Sequence, residues 1–137
     1  MRKRVCSGML FLLMMLLMAA TVFAADMRAS DRFSDYTARL YVESNGDLDI
    51  YFSVSTESTM DILGASKILV ERDNGYRWVA ESTLTAKNTP EMQTTNASQY
   101  SAWIPYEPND PNANYRATVT FYARDSSGSS TAQTTTN

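Results

Sequence analysis

The chain has 137 residues, a single cysteine (Cys6) and no histidine, and it carries 12 Lys and Arg against 15 Asp and Glu for a formal charge of −3. This composition excludes imidazole bases, thiolate nucleophiles, the Cys/His ligand sets of zinc sites and any disulfide framework. Net negative charge with scattered arginines also opposes binding to nucleic acid or to an anionic lipid surface.

Residues 1–24 have the three-part layout of a cleaved export signal. Arg2, Lys3 and Arg4 form the basic start, Met9 to Ala20 is an unbroken apolar run, and Val22 and Ala24 are modest side chains ahead of a cut after Ala24. Cleavage after Ala25 is the alternative. The rival reading is an uncleaved N-terminal membrane anchor, because Met9 to Ala25 approaches the length of about 17 residues that a spanning helix needs. Asp26 follows directly, which suits a cleavage site better than a stop-transfer flank. Cys6 precedes the apolar run, so no cysteine is placed for lipidation, and Thr134 to Asn137 is not an apolar tail. The expectation is a secreted protein with no stable membrane insertion after cleavage. Its charge becomes −6, because three cations leave with the signal.

Residues 25–35 are polar with isolated Met27 and Phe33 and are expected to form a flexible lead-in to a domain over residues 36–137. From Tyr36 the hydrophobic period is two. Tyr36, Ala38, Leu40 and Val42 define one half-buried strand; Leu48, Ile50, Phe52 and Val54 define the next. A three-residue loop Ser44-Asn45-Gly46 puts both apolar sets on one face, with Val42 opposite Leu48, Leu40 opposite Ile50 and Ala38 opposite Phe52; Gly46 takes the left-handed position. Glu57 to Gly64 reads as a connection whose Met60, Ile62 and Leu63 plug the core. A second hairpin follows, Ala65 to Arg72 with Tyr76 to Ser82. The loop Asp73-Asn74-Gly75 pairs Val70 with Trp78, Ile68 with Ala80, Glu71 with Arg77 and Lys67 with Glu81.

Residues 85–97 have no period and read as a long loop. Tyr100, Ala102 and Ile104 make a strand closed by Pro105, residues 106–114 are a turn-rich loop, Tyr115 to Ala123 is a strand, and Ser126-Ser127-Gly128 turns into a last strand, Ser130 to Thr136. The expected fold is all-β, an antiparallel β-sandwich of about seven strands preceded by the signal helix. The run Tyr115 to Ser130 resembles the penultimate strand, turn and last strand of immunoglobulin-like and fibronectin type III domains. That resemblance implies a corner role for Tyr115, although the cysteine pair of those families is missing and Trp78 falls in a later strand. Met60 to Ala65 leading into Ile68 and Val70, then Gly75 and Trp78, then Tyr115 to Tyr122 and Gly128, are similar to a family of short secreted proteins of Gram-positive bacteria with no assigned activity. This second resemblance implies export and β-structure only.

No residue pattern points to catalysis, to a cofactor or to a resident metal. Asp47 and Asp49 are the paired carboxylates available to a hydrolase, yet an open strand face leaves them solvated, without the burial that raises one pKa of an acid/base pair. Glu107, Asn109, Asp110, Asn112 and Asn114 offer oxygen ligands in the 106–114 loop but match no calcium-loop spacing, and they are ordinary turn residues. Arg39, Tyr41, Tyr51, Trp103 and Tyr122 fall on the outward faces of their strands and form the candidate interaction surface, with Arg39 set for a cation-π contact on Tyr51. The sequence thus points to a secreted, non-enzymatic binding or surface-interaction module whose partner is a protein or a glycan. An extracellular carboxylate-dependent hydrolase and a packing subunit of an extracellular assembly are the alternatives.

Overall fold

The computed structural model describes residues 32–137; the signal segment and most of the lead-in lie outside the described residues. Among the described residues six strands follow one another: β1 (Phe33–Val42), β2 (Leu48–Asp73), β3 (Trp78–Thr85), β4 (Gln93–Tyr106), β5 (Tyr115–Asp125) and β6 (Gly128–Thr136), with a 3-10 turn at Pro90–Met92 ahead of β4. All pairings are antiparallel, and the strands form one curled sheet.

β2 organises the whole. Its first half pairs with β1 on one side and the end of β4 on the other. Its second half pairs with β5 on one side, and on the other with the start of β4 and then with β3. The alternation in the sequence explains both halves: Leu48, Ile50, Phe52 and Val54, then Ile68 and Val70, are all buried. Between them, the segment expected to be a connection is continuous strand, which reduces the expected seven strands to six. Thr56 marks the bend, its hydroxyl donating to the carbonyls of Ser58 and Ser98 where β2 and β4 lose register. Met60 and Leu63 are buried as expected, while Ile62 is only half-buried. Gly64 has φ +149°, and a Cβ there would come within 2.2 Å of the Met92 carbonyl oxygen. Only glycine lets the 3-10 turn seat Met92 in the core.

The bend brings the inner faces of the two halves together. Phe52 and Phe121 meet edge to face at 6.1 Å, both fully buried, and burial of a side chain of that size stabilises by about 1.5–3 kcal/mol.

The first hairpin has the register its sequence dictates. Val42 faces Leu48, Leu40 faces Ile50, Ala38 faces Phe52, and Gly46 takes φ +90°. The second hairpin does not. Asp73 pairs with Trp78, and Asn74 N–H donates to the Arg77 carbonyl, closing a turn on Gly75 and Tyr76. The carboxamide oxygen of Asn74 accepts the N–H groups of Tyr76 and Arg77, and Asp73 Oδ1 accepts that of Gly75. These side-chain bonds favour the tighter turn. A bulge then leaves Glu81 without a cross-strand partner, so Ile68 faces Leu84, Val70 faces Ser82 and Lys67 faces Thr85. The expected ion pairs of Glu71 with Arg77 and of Lys67 with Glu81 are therefore not made. Glu71 instead binds Arg116 of β5 at 3.0 and 3.3 Å.

Two further boundaries move. β1 begins at Phe33, and Arg32 binds the Asp125 carboxylate at 3.1 and 3.2 Å and the hydroxyls of Ser127 and Ser130, so ordered structure reaches into the expected lead-in. The expected 85–97 loop shrinks, because β3 runs to Thr85 and β4 starts at Gln93. β1 and β6 are the free ends of the strand order β1-β2-β5-β6. Arg32 holds their starts together, and their ends flank a groove.

Candidate functional site

The outward face of the first half is built by three strands in fixed register. Because the even residues of β2 from Leu48 to Val54 point into the core, the odd residues point outward. Arg39, Tyr51 and Trp103 form one cross-strand row. Tyr41, Asp49 and Pro105 form the next, and Thr37, Ser53 and Ser101 lie on the other side. Trp103 is 56% exposed and Tyr41 42% exposed. The Trp103 ring contacts Tyr41 at 5.2 Å and Tyr51 at 4.9 Å between centroids, tilted by 42° and 45°. This is a continuous aromatic patch on open sheet.

Four of the five expected surface residues, Arg39, Tyr41, Tyr51 and Trp103, therefore share one region. Tyr122 does not belong to it: on β5 it stands opposite Gly64 and Thr131, in the other half of the curled sheet. Period-two reasoning sees that a residue points outward, but not which outward face it joins once β2 bends. The expected cation-π contact also changes hands. Tyr51 stacks on Trp103, and it is Arg116 that lies over a ring, 4.7 Å from the centroid of Trp78.

Carboxylates border the aromatic patch. Glu43, Asp47, Asp49 and Glu107 line an open depression of about 460 Å³ at the end of the same three strands. Glu43 is pushed above the usual carboxyl range, first by a hydrogen bond with Asp49, then by that carboxylate's charge, with smaller contributions from desolvation and from Asp47. Neighbouring carboxyls of unequal pKa are where acid/base chemistry starts, but here the cause is proximity on open surface and not a desolvated pocket. Asp47 is engaged locally, its Oδ2 accepting from the Asn45 side-chain amide. In the 106–114 loop, Asp110 Oδ1 accepts the Asn112 N–H, so that carboxylate braces its own turn.

A second polar constellation was not visible in the sequence. Glu81, displaced by the bulge, accepts the hydroxyls of Tyr106 at 2.5 Å and Tyr115 at 2.9 Å, and weakly the Asn109 N–H. Burial pushes the Tyr106 hydroxyl far up, with Glu81 adding to it. Tyr115 is raised by burial and by Glu81, partly opposed by the Asp110 N–H that donates to its oxygen. Phenols this hard to ionise are poor acids, and a carboxylate accepting three donors is a poor base. The cluster fastens the 106–114 loop to β3.

At the free ends of β1 and β6, Leu40, Val42, Trp78 and Tyr115 with Asn112 and Asn114 line a groove of about 460 Å³. Its lining mixes apolar and amide side chains, and Val42 is 67% exposed.

Comparisons with protein-family models, with curated proteins and with solved structures found no match to this chain. Function therefore rests on the surface itself.

Proposed function

We propose that this chain is an exported, non-enzymatic binding module, and that the Tyr41–Trp103–Tyr51 patch is its contact surface for a protein or glycan partner outside the cell. One observation carries the reading: a half-exposed tryptophan held between two tyrosines on an open sheet face. Tryptophan and tyrosine offer large contact area at small conformational cost and dominate binding surfaces. Export rests on the layout of residues 1–24. Kinship to immunoglobulin-like sandwiches draws support from the strand alternation and from Tyr115, whose hydroxyl accepts the N–H of Asp110 five residues upstream, the contact expected of a corner tyrosine.

The test is saturable capture of a defined component from an envelope extract by immobilised protein, compared with Trp103→Ala and Tyr41→Ala. Both substitutions are at exposed positions, and circular dichroism checks that each variant keeps the fold. Capture lost in both variants supports the reading; capture unchanged in both contradicts it.

A further inference from the structure

The aromatic patch and the charge beside it select among partners. A flat sugar ring stacks best on coplanar aromatic side chains, whereas Tyr41 and Tyr51 are tilted by 42° and 45° from Trp103 and give no common plane. Toward one side lie only the short hydroxyl side chains of Thr37, Ser53 and Ser101, the last donating to Ser53 Oγ at 3.3 Å. Toward the other lie Glu43, Asp47, Asp49 and Glu107, against Arg39 as the cation of the adjoining rows. Like charges crowd there, and the upward push on Glu43 is their signature. An approaching cation relieves that repulsion, and the faces of electron-rich rings attract it as well.

The spacing also chooses the source of the cation. Asp49 stands in the Tyr41 row itself, and from that row to Glu43, Asp47 and Glu107 is two residues along the strands, about 6–7 Å. A lysine or arginine stem covers about that length of apolar surface before its charged end. An amino sugar carries its amine on the ring and has no such stem.

We propose that the partner of this face is a cationic segment of another protein, with lysine or arginine stems lying over Tyr41 and Trp103 and their charged ends among Glu43, Asp47, Asp49 and Glu107. The proposal rests on the reading of this patch as the contact surface. It also assigns Asp47 and Asp49 a role in recognition rather than in catalysis. Association with such a segment is steered by the acidic face and weakens as salt rises.

The chain, expressed with its own N-terminal segment and purified in whatever processed form results, is titrated by calorimetry with three probes: a lysine-rich peptide, its glutamate counterpart and cellohexaose. The expected result is saturable binding of the lysine peptide alone. It should fall about tenfold or more in Trp103→Ala, in the combined Glu43→Gln, Asp47→Asn and Asp49→Asn variant, and on moving from low to high salt. Binding of cellohexaose but not of the lysine peptide, with loss in Trp103→Ala, overturns the cationic partner while leaving the contact surface standing. Lysine-peptide binding that ignores Trp103→Ala is attraction to net charge and overturns the proposal. No binding of any probe overturns both readings. Circular dichroism melts of each variant check that the fold is retained, as expected for exposed Glu43 and Trp103 and half-buried Asp47 and Asp49.

Discussion

At Glu81 a single carboxylate accepts two tyrosine hydroxyls and a backbone N–H, and so fixes a loop that the sequence shows only as a run of turn formers. Glu81→Gln keeps the shape but weakens the charge-assisted bonds, and removes acceptor capacity from half-buried Tyr106 and buried Tyr115. The expected loss is about 1–3 kcal/mol in urea unfolding. The same cluster shapes the alkaline limb of the stability curve. Tyr106 and Tyr115 are raised in the folded state, so their contribution is complete below the ordinary tyrosine value and is lost as pH rises through their folded values. Midpoints recorded from pH 9 upward should decline as the tyrosines of the unfolded chain ionise. That decline should be shallower in Glu81→Gln; an unchanged slope would show that Glu81 does not set these hydroxyls. Sequence reasoning missed the cluster for a definite reason: a one-residue bulge turns Glu81 away from Lys67, and bulges leave no periodic trace.

The hairpin whose side-chain bonds leave the glycine-set register unchanged was legible, and the one whose side-chain bonds tighten the turn was not. At Ser44-Asn45-Gly46 the Asn45 side chain accepts the Asp47 N–H, but the register is the one that left-handed Gly46 and the shared apolar face dictate. At Asp73-Asn74-Gly75 two side chains hydrogen-bond ahead into the turn and shift the pairing. The continuity of β2 was hidden by Ser58, Thr59 and Gly64, which are turn formers elsewhere. Gly64→Ala tests that bend. With φ +149° and the Met92 carbonyl 2.2 Å from the added Cβ, the substitution should cost about 2 kcal/mol or more, read as a lower unfolding midpoint. A neutral outcome would mean that β2 and the 3-10 turn do not meet there. At the other end of the sheet, Arg32 ties β1 to the β5–β6 turn. The guanidinium, first by hydrogen bonding, holds the Asp125 carboxyl well below its usual value, with the Ser127 hydroxyl and N–H assisting. A lowered carboxyl stabilises above its unfolded value near 3.8 and loses that contribution as pH falls toward the folded value. Asp125→Asn should therefore lower the melting temperature at neutral pH and lessen its fall below pH 4. The same fall in both proteins would contradict the role given to this pair.

Across the whole molecule, β2 belongs to both halves of the curled sheet, and the core from Phe52 to Phe121 lies between them. Neither half can open without exposing the other's core, so urea transitions followed by tryptophan fluorescence and by far-ultraviolet circular dichroism should coincide. Separate transitions would divide the sheet at the Thr56 bend. The all-β class was legible in the alternation, and so was most of the aromatic face, because Arg39, Tyr41, Tyr51 and Trp103 sit on strands whose register the first hairpin and β4 fix. Tyr122 was misplaced because the bend that separates the faces is a property of the folded sheet. The most direct measurement is a map of amide shifts in the ¹⁵N-labelled protein titrated with the lysine-rich peptide and then with cellohexaose. Whichever probe binds should shift the amides of residues 39–43, 47–51 and 101–107. Shifts confined to the groove residues Trp78, Asn112 and Asn114, or absent with both probes, would contradict the assignment of the aromatic face as the contact surface.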